Sequence, residues 1–295
     1  MTTEATARTP THEVVDARDW SFGGTWPYEP RWLFTDGVRL HYVDEGPRDG
    51  EPVVLLHGNP TWSYLFRRYL RGLADAGFRA VAYDQLGFGR SDKAHGRKEY
   101  SLERARRHLA ALMDELALDG VTLVVHDWGG PIGLGWAAAH PGRVRRLAVL
   151  NTFSEEMPGA RGPFRWPLTG ELLVKGSHFY VRSFLLRGGI LHPERLGEEG
   201  RAAYLSPSQS WPSRTGILAT SRFRASLPDL TALHGKPVLY VWGMRDRAHG
   251  ENSLRRFEER LPGDAVELED AGSFVPEDAP EESLAAVLGF LRRTG

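Results

Sequence analysis

The amino-acid sequence predicts an α/β protein in which a mostly parallel sheet is covered by helices on both faces. Strand-like and helix-like stretches alternate from residue 52 to residue 150, the order that builds parallel βαβ units. The strand-like runs Pro52-Val53-Val54-Leu55-Leu56 and Val121-Thr122-Leu123-Val124-Val125 are almost continuously apolar, as strands buried on both faces require. A third observation marks where the alternation breaks. Residues 152–230 read as helix-like pieces interrupted by Pro158, Pro163, Pro167, Pro193, Pro207 and Pro212, with aromatic residues between them and no convincing buried strand. The expected organisation is a mobile tail over residues 1–19, a core of residues 20–151 and 231–295, and a helical cap over 152–230 that lies across the sheet.

In chain order, residues 32–35 and 38–44 flank Asp36-Gly37, and an Asp-Gly pair between two strand-like runs signals a hairpin. After the run at 52–56, apolar residues recur with helical spacing over 62–76, and residues 78–83 form the next strand-like run. A turn-rich loop follows, with Asp84 and Asp92 read as structural. Leu102, Ala105, Leu109, Leu112, Met113 and Leu116 then share one helical face. A strand at 121–126, a helix at 130–140 and a strand at 144–150 complete the first half. The pattern resumes with strands at 237–242 and 265–268 and helices near 252–261 and 280–293.

Composition narrows the function. Thirty-seven Lys and Arg against 38 Asp and Glu leave a net charge of −1, which gives no electrostatic case for nucleic-acid or anionic-membrane binding. There is no cysteine, so disulfides, thiolate metal sites and thiol nucleophiles are excluded. Residues 1–19 lack the apolar centre of a signal peptide, and no run of about 18 apolar residues occurs, so a cytoplasmic location is the default expectation.

Ligands of open α/β sheets bind beyond the carboxyl ends of the strands. His57-Gly58-Asn59-Pro60 follows one strand, Asp127-Trp128-Gly129-Gly130 follows another, and Gly243-Met244-Arg245-Asp246 follows a third. The second has the layout of a nucleophile elbow with Asp127 where a serine esterase has serine, and a carboxylate can serve as a nucleophile. Other readings stand beside it: Asp127 or Asp246 as a helix cap, Asn59 as a turn residue, Trp128 as a core aromatic. His57 and His126 are read as supporting backbone and packing.

Together, His57-Gly58-Asn59-Pro60-Thr61-Trp62-Ser63-Tyr64, the loop from Asp84 to Lys93 and Val125-His126-Asp127-Trp128-Gly129-Gly130 resemble the α/β-hydrolase fold and, within it, the haloalkane dehalogenases. Trp26-Pro27-Tyr28-Glu29-Pro30, Trp211-Pro212-Ser213-Arg214 and Trp242-Gly243-Met244-Arg245-Asp246 are similar to the branch that includes the β-lactone decarboxylases of bacterial olefin synthesis. The resemblance implies an eight-stranded sheet and a hydrolase acting on a small apolar organic substrate, with no cofactor, no metal and no nucleic-acid or membrane partner. It implies Asp127 as nucleophile, and the Trp128 indole N–H and Asn59 side-chain amide as donors to a departing halide. The backbone N–H groups of Asn59 and Trp128 would hold an oxyanion, and Asp246 would orient the general base. Some dehalogenases take that acid from the end of the preceding strand; Asn151 stands there, which favours Asp246.

The family pattern near the C-terminus is Ala-Gly-His-Phe, whereas this chain has Ala271-Gly272-Ser273-Phe274. A serine hydroxyl cannot take up a proton near neutral pH as an imidazole of pKa about 6.5 can. Displacement by Asp127 needs no base, but hydrolysis of the resulting ester does, so the second half-reaction is expected to stall. His249 is a candidate substitute, with His178 and His192 less favoured. The alternatives are chemistry at a strained ring, either β-lactone decarboxylation or epoxide opening with Tyr180 and Tyr204 as candidate groups, and a binding protein that has lost turnover. Phe164, Trp166, Phe179 and Phe184 either line the pocket or pack the cap.

Overall fold

The computed structural model describes residues 12–13, 19–154, 157–158, 167–176, 180–225 and 228–295. Eight strands form one sheet: β1 (Arg31–Thr35), β2 (Val38–Glu45), β3 (Pro52–Leu56), β4 (Arg79–Tyr83), β5 (Val121–His126), β6 (Val144–Leu150), β7 (Val238–Gly243) and β8 (Asp264–Leu268). Their spatial order is β8-β7-β6-β5-β3-β4-β2-β1. From β8 to β4 every pairing is parallel, while β2 runs antiparallel to both β4 and β1. The mostly parallel eight-stranded α/β sheet is therefore borne out. Asp36 and Gly37, at φ 52° and 73°, make the tight β1–β2 turn, since two successive positive φ values match the twist of the flanking strands.

The longer α-helices among the described residues are α1 (Arg67–Asp75), α2 (Leu102–Glu115), α3 (Gly129–Ala139), α4 (Gly197–Leu205), α5 (Thr215–Thr220), α6 (Glu251–Arg260) and α7 (Pro280–Arg293). Side chains along a strand alternate between faces, and β3 shows the consequence. Val53 and Leu55 join a core with Leu70 and Leu73 of α1 and Phe290 and Leu291 of α7. Val54 and Leu56 join the opposite core with Leu109 and Met113 of α2, Ile132 of α3 and Phe257 of α6. A strand buried on both sides has no polar face, which is why its sequence is continuously apolar.

Between β6 and β7 the described chain is mainly helical. Glu171–Gly176 and Tyr180–Gly189 are wound as π-helix, and α4 and α5 follow. Val174, Val181, Leu185, Ile217 and Leu218 bury themselves in the same core as Trp62 and Phe88. One difference from expectation is a two-residue antiparallel bridge, in which Met157 and Pro158 pair with Ala225 and Arg224; a bridge this short leaves no period-two pattern to read. Of the N-terminal stretch, His12 and Glu13 pair with Ala94 and Lys93, and residues 1–11 and 14–18 lie outside the described residues. His178, Phe164, Trp166 and Phe179 also lie outside them, as does the side chain of Phe184.

A buried ion pair ties three layers together. Glu277 receives both Arg67 Nη1 and Nη2, at 2.5 and 2.9 Å, Arg68 Nη1 at 3.3 Å, and the Tyr204 hydroxyl. The network joins α1, α4 and the turn before α7. Among the described residues no helix is long and apolar enough to cross a membrane.

Removing one member of a buried ion pair leaves the other charge uncompensated, at about 3 to 5 kcal/mol. Glu277→Ala is expected to lower stability by about 3 kcal/mol or more in urea denaturation, and an unchanged midpoint would show that Arg67 finds other solvation.

Candidate functional site

The site is built where β3, β5 and β7 end. Asp127, directly after β5, has φ 50°, a left-handed conformation uncommon for a residue with a side chain. Gly130 N–H and the Thr152 hydroxyl donate to its carbonyl, at 3.0 and 2.5 Å, and its own N–H donates to the Asn151 carbonyl at 3.0 Å. The turn thrusts the carboxylate toward the end of β3. There the Asn59 backbone N–H donates to Oδ1 at 2.7 Å. Gly58 permits this approach: a Cβ in its place would stand 2.1 Å from Asp127 Oδ1. Gly129 permits the packing of α3 on β3, since its Cβ would stand 2.1 Å from the Leu56 carbonyl. The side chain of Asp127 does not cap α3.

Burial pushes the Asp127 carboxyl up to about 7, against the backbone N–H groups of Asn59 and Trp128, which favour the charged form; the nearby Asp246 charge adds to the rise. Trp128 is 5% exposed and packs against Phe153 and Phe223, with ring centroids 4.7 and 5.4 Å away. Among the described residues no acceptor meets its indole N–H. Asn59 is buried, and its side-chain nitrogen is already engaged, donating to the Ile217 carbonyl at 3.0 Å and to Thr220 Oγ1 at 2.7 Å in α5.

Asp246 follows β7. Asn151 Nδ2 donates to its Oδ2 at 3.0 Å and Ala248 N–H to its Oδ1 at 2.8 Å, so the end of β6 and the turn after β7 meet in one contact. Asp246 does not cap α6, whose N-cap is Gly250 with no side-chain bond. Ser273 lies alongside: the adjoining Ala271 carbonyl accepts from Arg245 N–H at 3.0 Å, and Ser273's own carbonyl pairs with His126 Nε2 at 2.9 Å. The residue before Asp127 thus holds the backbone of position 273, and the Ser273 side chain is half-buried. Asp278 pins the same loop, accepting Gly272 N–H at 2.9 Å and, from the helical segment, Leu191 N–H at 2.7 Å.

The histidines serve other ends. His57 faces the Gly58 carbonyl with Nδ1 at 2.8 Å and accepts Gln85 N–H on Nε2 at 3.0 Å. Burial lowers His126 to about 4. His249 is 8% exposed, its ring edge-on to Phe153 at 4.4 Å, one aromatic ring removed from Trp128, and burial lowers its pKa despite Asp246. His192 faces Asp270 near the surface. Asp84 accepts His41 Nδ1, both donors of Ser63, and Arg90 N–H, at 2.7 to 2.9 Å, a structural tie for its loop. Tyr204 is bound to Glu277, whereas Tyr180 packs against the core, and burial and then the Asp127 charge raise its phenol above the usual range. Among the described residues no group of three or more His, Asp or Glu is placed to hold a metal ion.

The family model described as alpha/beta hydrolase fold matches residues 51–280. A haloalkane dehalogenase of Psychrobacter cryohalolentis is 42% identical over 306 residues, covering 96% of this chain and 97% of its own length. The chain belongs to the α/β-hydrolase fold, in the haloalkane dehalogenase family. This α/β-hydrolase is also 33% identical over 285 residues to a cis-3-alkyl-4-alkyloxetan-2-one decarboxylase of Xanthomonas campestris pv. campestris, covering 87% of this chain and 93% of the relative. Among solved structures, haloalkane dehalogenase DbeA from Bradyrhizobium elkani USDA94 matches with a TM-score of 0.79 at 27% identity, over 90% of this chain and 98% of that one. The protein is accordingly an enzyme of the α/β-hydrolase type.

Sequence reasoning did not single out Thr152, Thr220, Phe153 or Phe223. Thr152 and Phe153 follow the end of β6, where the rule about strand ends could have found them. Thr220 and Phe223 carry no local signal.

Between about pH 4 and pH 7 the folded protein retains a proton on Asp127 that the unfolded chain has released, so this group's contribution to stability falls as pH rises through that window. Three pH units at about 1.36 kcal/mol each bound the effect at about 4 kcal/mol. Asp127→Asn is therefore expected to gain stability over the parent as pH rises from 4 to 8 in thermal denaturation; a difference constant with pH would contradict the buried-carboxylate account.

Proposed function

We propose that this enzyme uses Asp127 to displace a leaving group from saturated carbon in a small apolar organic molecule, as a haloalkane dehalogenase does in its first half-reaction. The observation that carries the reading is the Asp127 carboxylate itself. It sits at a strand end on a left-handed turn, partly buried and aligned by the Asn59 N–H at 2.7 Å. An Asp127 oxygen attacks the carbon, the carbon–halogen bond breaks with its electron pair, and an alkyl ester forms on the enzyme. The Trp128 indole N–H, with the Asn59 amide if it leaves α5, would receive the anion, because a charge expelled into a dry site needs preorganised donors.

Completion by hydrolysis requires water to attack the ester carbonyl and give up a proton. The Asn59 and Trp128 backbone N–H groups suit the oxyanion, but Ser273 offers no base at the proton's place. Asp246 is bound to Asn151 and Ala248, with no imidazole hydrogen-bonded to it among the described residues. His249 is a poor substitute, being one ring away from Trp128 and made less basic by burial. Loss of a positioned general base typically costs about 10² to 10⁴ in rate, so the ester accumulates.

One observation favours a second reading: Ser273 removes what hydrolysis needs, while β-lactone decarboxylation can be written without it. Asp127 attacks C4 of the oxetan-2-one, the C4–O1 bond breaks, and the freed carboxylate stays attached through C3. The C3–carboxylate bond then releases CO2, its electron pair forms the C3–C4 double bond, and the C4–O bond to Asp127 breaks. Neither water nor a proton enters. A cis-3,4-dialkyl lactone inverted at C4 has its Asp127 oxygen anti to the carboxylate, so the alkene emerges cis.

Incubation with a bromoalkane is expected to add one alkyl group to the intact mass, the adduct vanishing in Asp127→Asn and its rate of formation rising between pH 6 and 8. Ser273→His should raise alcohol release at least about a hundredfold; no gain would remove the missing-base account. Olefin release over many turnovers from a cis-β-lactone would select the second reading, and neither adduct nor product with either probe would leave only binding.

A further inference from the structure

We propose that Thr220, in α5, is a positioning residue that competes with the leaving anion for an amide hydrogen of Asn59. The proposal rests on the reading that Asp127 expels an anion toward Asn59. A carboxamide has two N–H donors. Asn59 Nδ2 lies within donating distance of the Ile217 carbonyl at 3.0 Å and of Thr220 Oγ1 at 2.7 Å. Thr220 Oγ1 can accept because its own hydrogen has acceptors in the preceding turn, the Gly216 carbonyl at 2.9 Å and the Ile217 carbonyl at 3.3 Å. The amide cannot be reversed without setting its oxygen against the Ile217 carbonyl, acceptor on acceptor. Asn59 Oδ1 is buried with no partner among the described residues.

The side-chain nitrogen is therefore engaged by two acceptors before any substrate arrives, whereas the backbone N–H that holds Asp127 is independent of them. An anion beside Trp128 gains the Asn59 amide only by displacing one of its two acceptors. Thr220 is the one that yields. Its hydroxyl is a neutral acceptor on a side chain that can change rotamer, while the Ile217 carbonyl is fixed in the helix backbone. Hydrogen bonds to an anion are roughly twice as strong as neutral ones, so the exchange goes forward when full negative charge has developed on the leaving group.

Thr220→Val keeps the shape and removes the acceptor, leaving one amide hydrogen unsatisfied until an anion binds. Bromide titration of the full chain, followed by tryptophan fluorescence and assigned to Trp128 by loss of the signal in Trp128→Phe, is expected to give about tenfold tighter binding in Thr220→Val than in the parent. Thr220→Ser, which retains the hydroxyl, should match the parent. The valine variant should also melt lower without bromide and recover when bromide is added. A merely structural role would weaken binding rather than tighten it. Unchanged or weaker affinity in Thr220→Val, tightening in Thr220→Ser, or absence of bromide binding in every variant overturns the proposal. Alkylation of the parent by a bromoalkane is read separately: an adduct at Asp127 with unaltered bromide affinity in Thr220→Val overturns the competition alone, whereas tightened bromide binding with no adduct overturns the displacement reading alone.

Discussion

A single carboxylate held against its own preference organises this molecule. Asp127 is forced into a left-handed backbone conformation and pressed against Gly58, where a Cβ would stand 2.1 Å from its Oδ1. Burial drives it toward protonation while the Asn59 N–H at 2.7 Å holds the charged form. The rest of the sheet answers to that demand. Parallel strands β3, β5 and β6 supply rigid ends, α3 approaches β3 closely because Gly129 has no side chain, and Thr152 fixes the Asp127 carbonyl. Each contact fixes the direction in which the partly buried carboxylate points, which the proposed displacement at carbon would require.

The second organising fact is a substitution. Position 273 is held as firmly as a base would need: His126 binds its carbonyl, Asp278 binds Gly272, and Arg245 binds Ala271. On the proposed reading this is the place of the proton acceptor, and the side chain there is a hydroxyl. Asp246 is held by Asn151 and Ala248, and among the described residues no imidazole is hydrogen-bonded to it. On the proposed reading such a site separates displacement, which needs only Asp127, from hydrolysis, which needs a proton acceptor. Chemistry that ends by expelling the Asp127 carboxylate again escapes the difficulty.

How far these features could be read from the chain depends on their range. The strands were legible because burial on both faces leaves no polar residue in Val53-Val54-Leu55-Leu56, and the hairpin because Asp36-Gly37 suits its positive φ values. The departure at Ser273 from the resembled family's pattern was legible because its neighbours Ala271, Gly272 and Phe274 match that pattern. The segment between β6 and β7 was legible as helix-like pieces broken by prolines, but not its winding: the π-helix of Tyr180–Gly189 departs from the 3.6-residue period by which helices are recognised. The engagement of Asn59 by Thr220 joins residues 161 apart in sequence, and no local pattern signals such a contact. Tyr180 and Tyr204 looked equivalent in sequence; Glu277 binds one, and the other lies within the field of Asp127.

The account turns on whether the enzyme completes one half-reaction and stops. Bromide released from an excess of bromoalkane, measured against time and enzyme concentration at pH 8, addresses this directly. The expected result is a burst of about one bromide per Asp127 followed by a rate at least about a hundredfold slower. Continuous release at the initial rate would mean that a proton acceptor other than residue 273 serves the site, and would contradict the account.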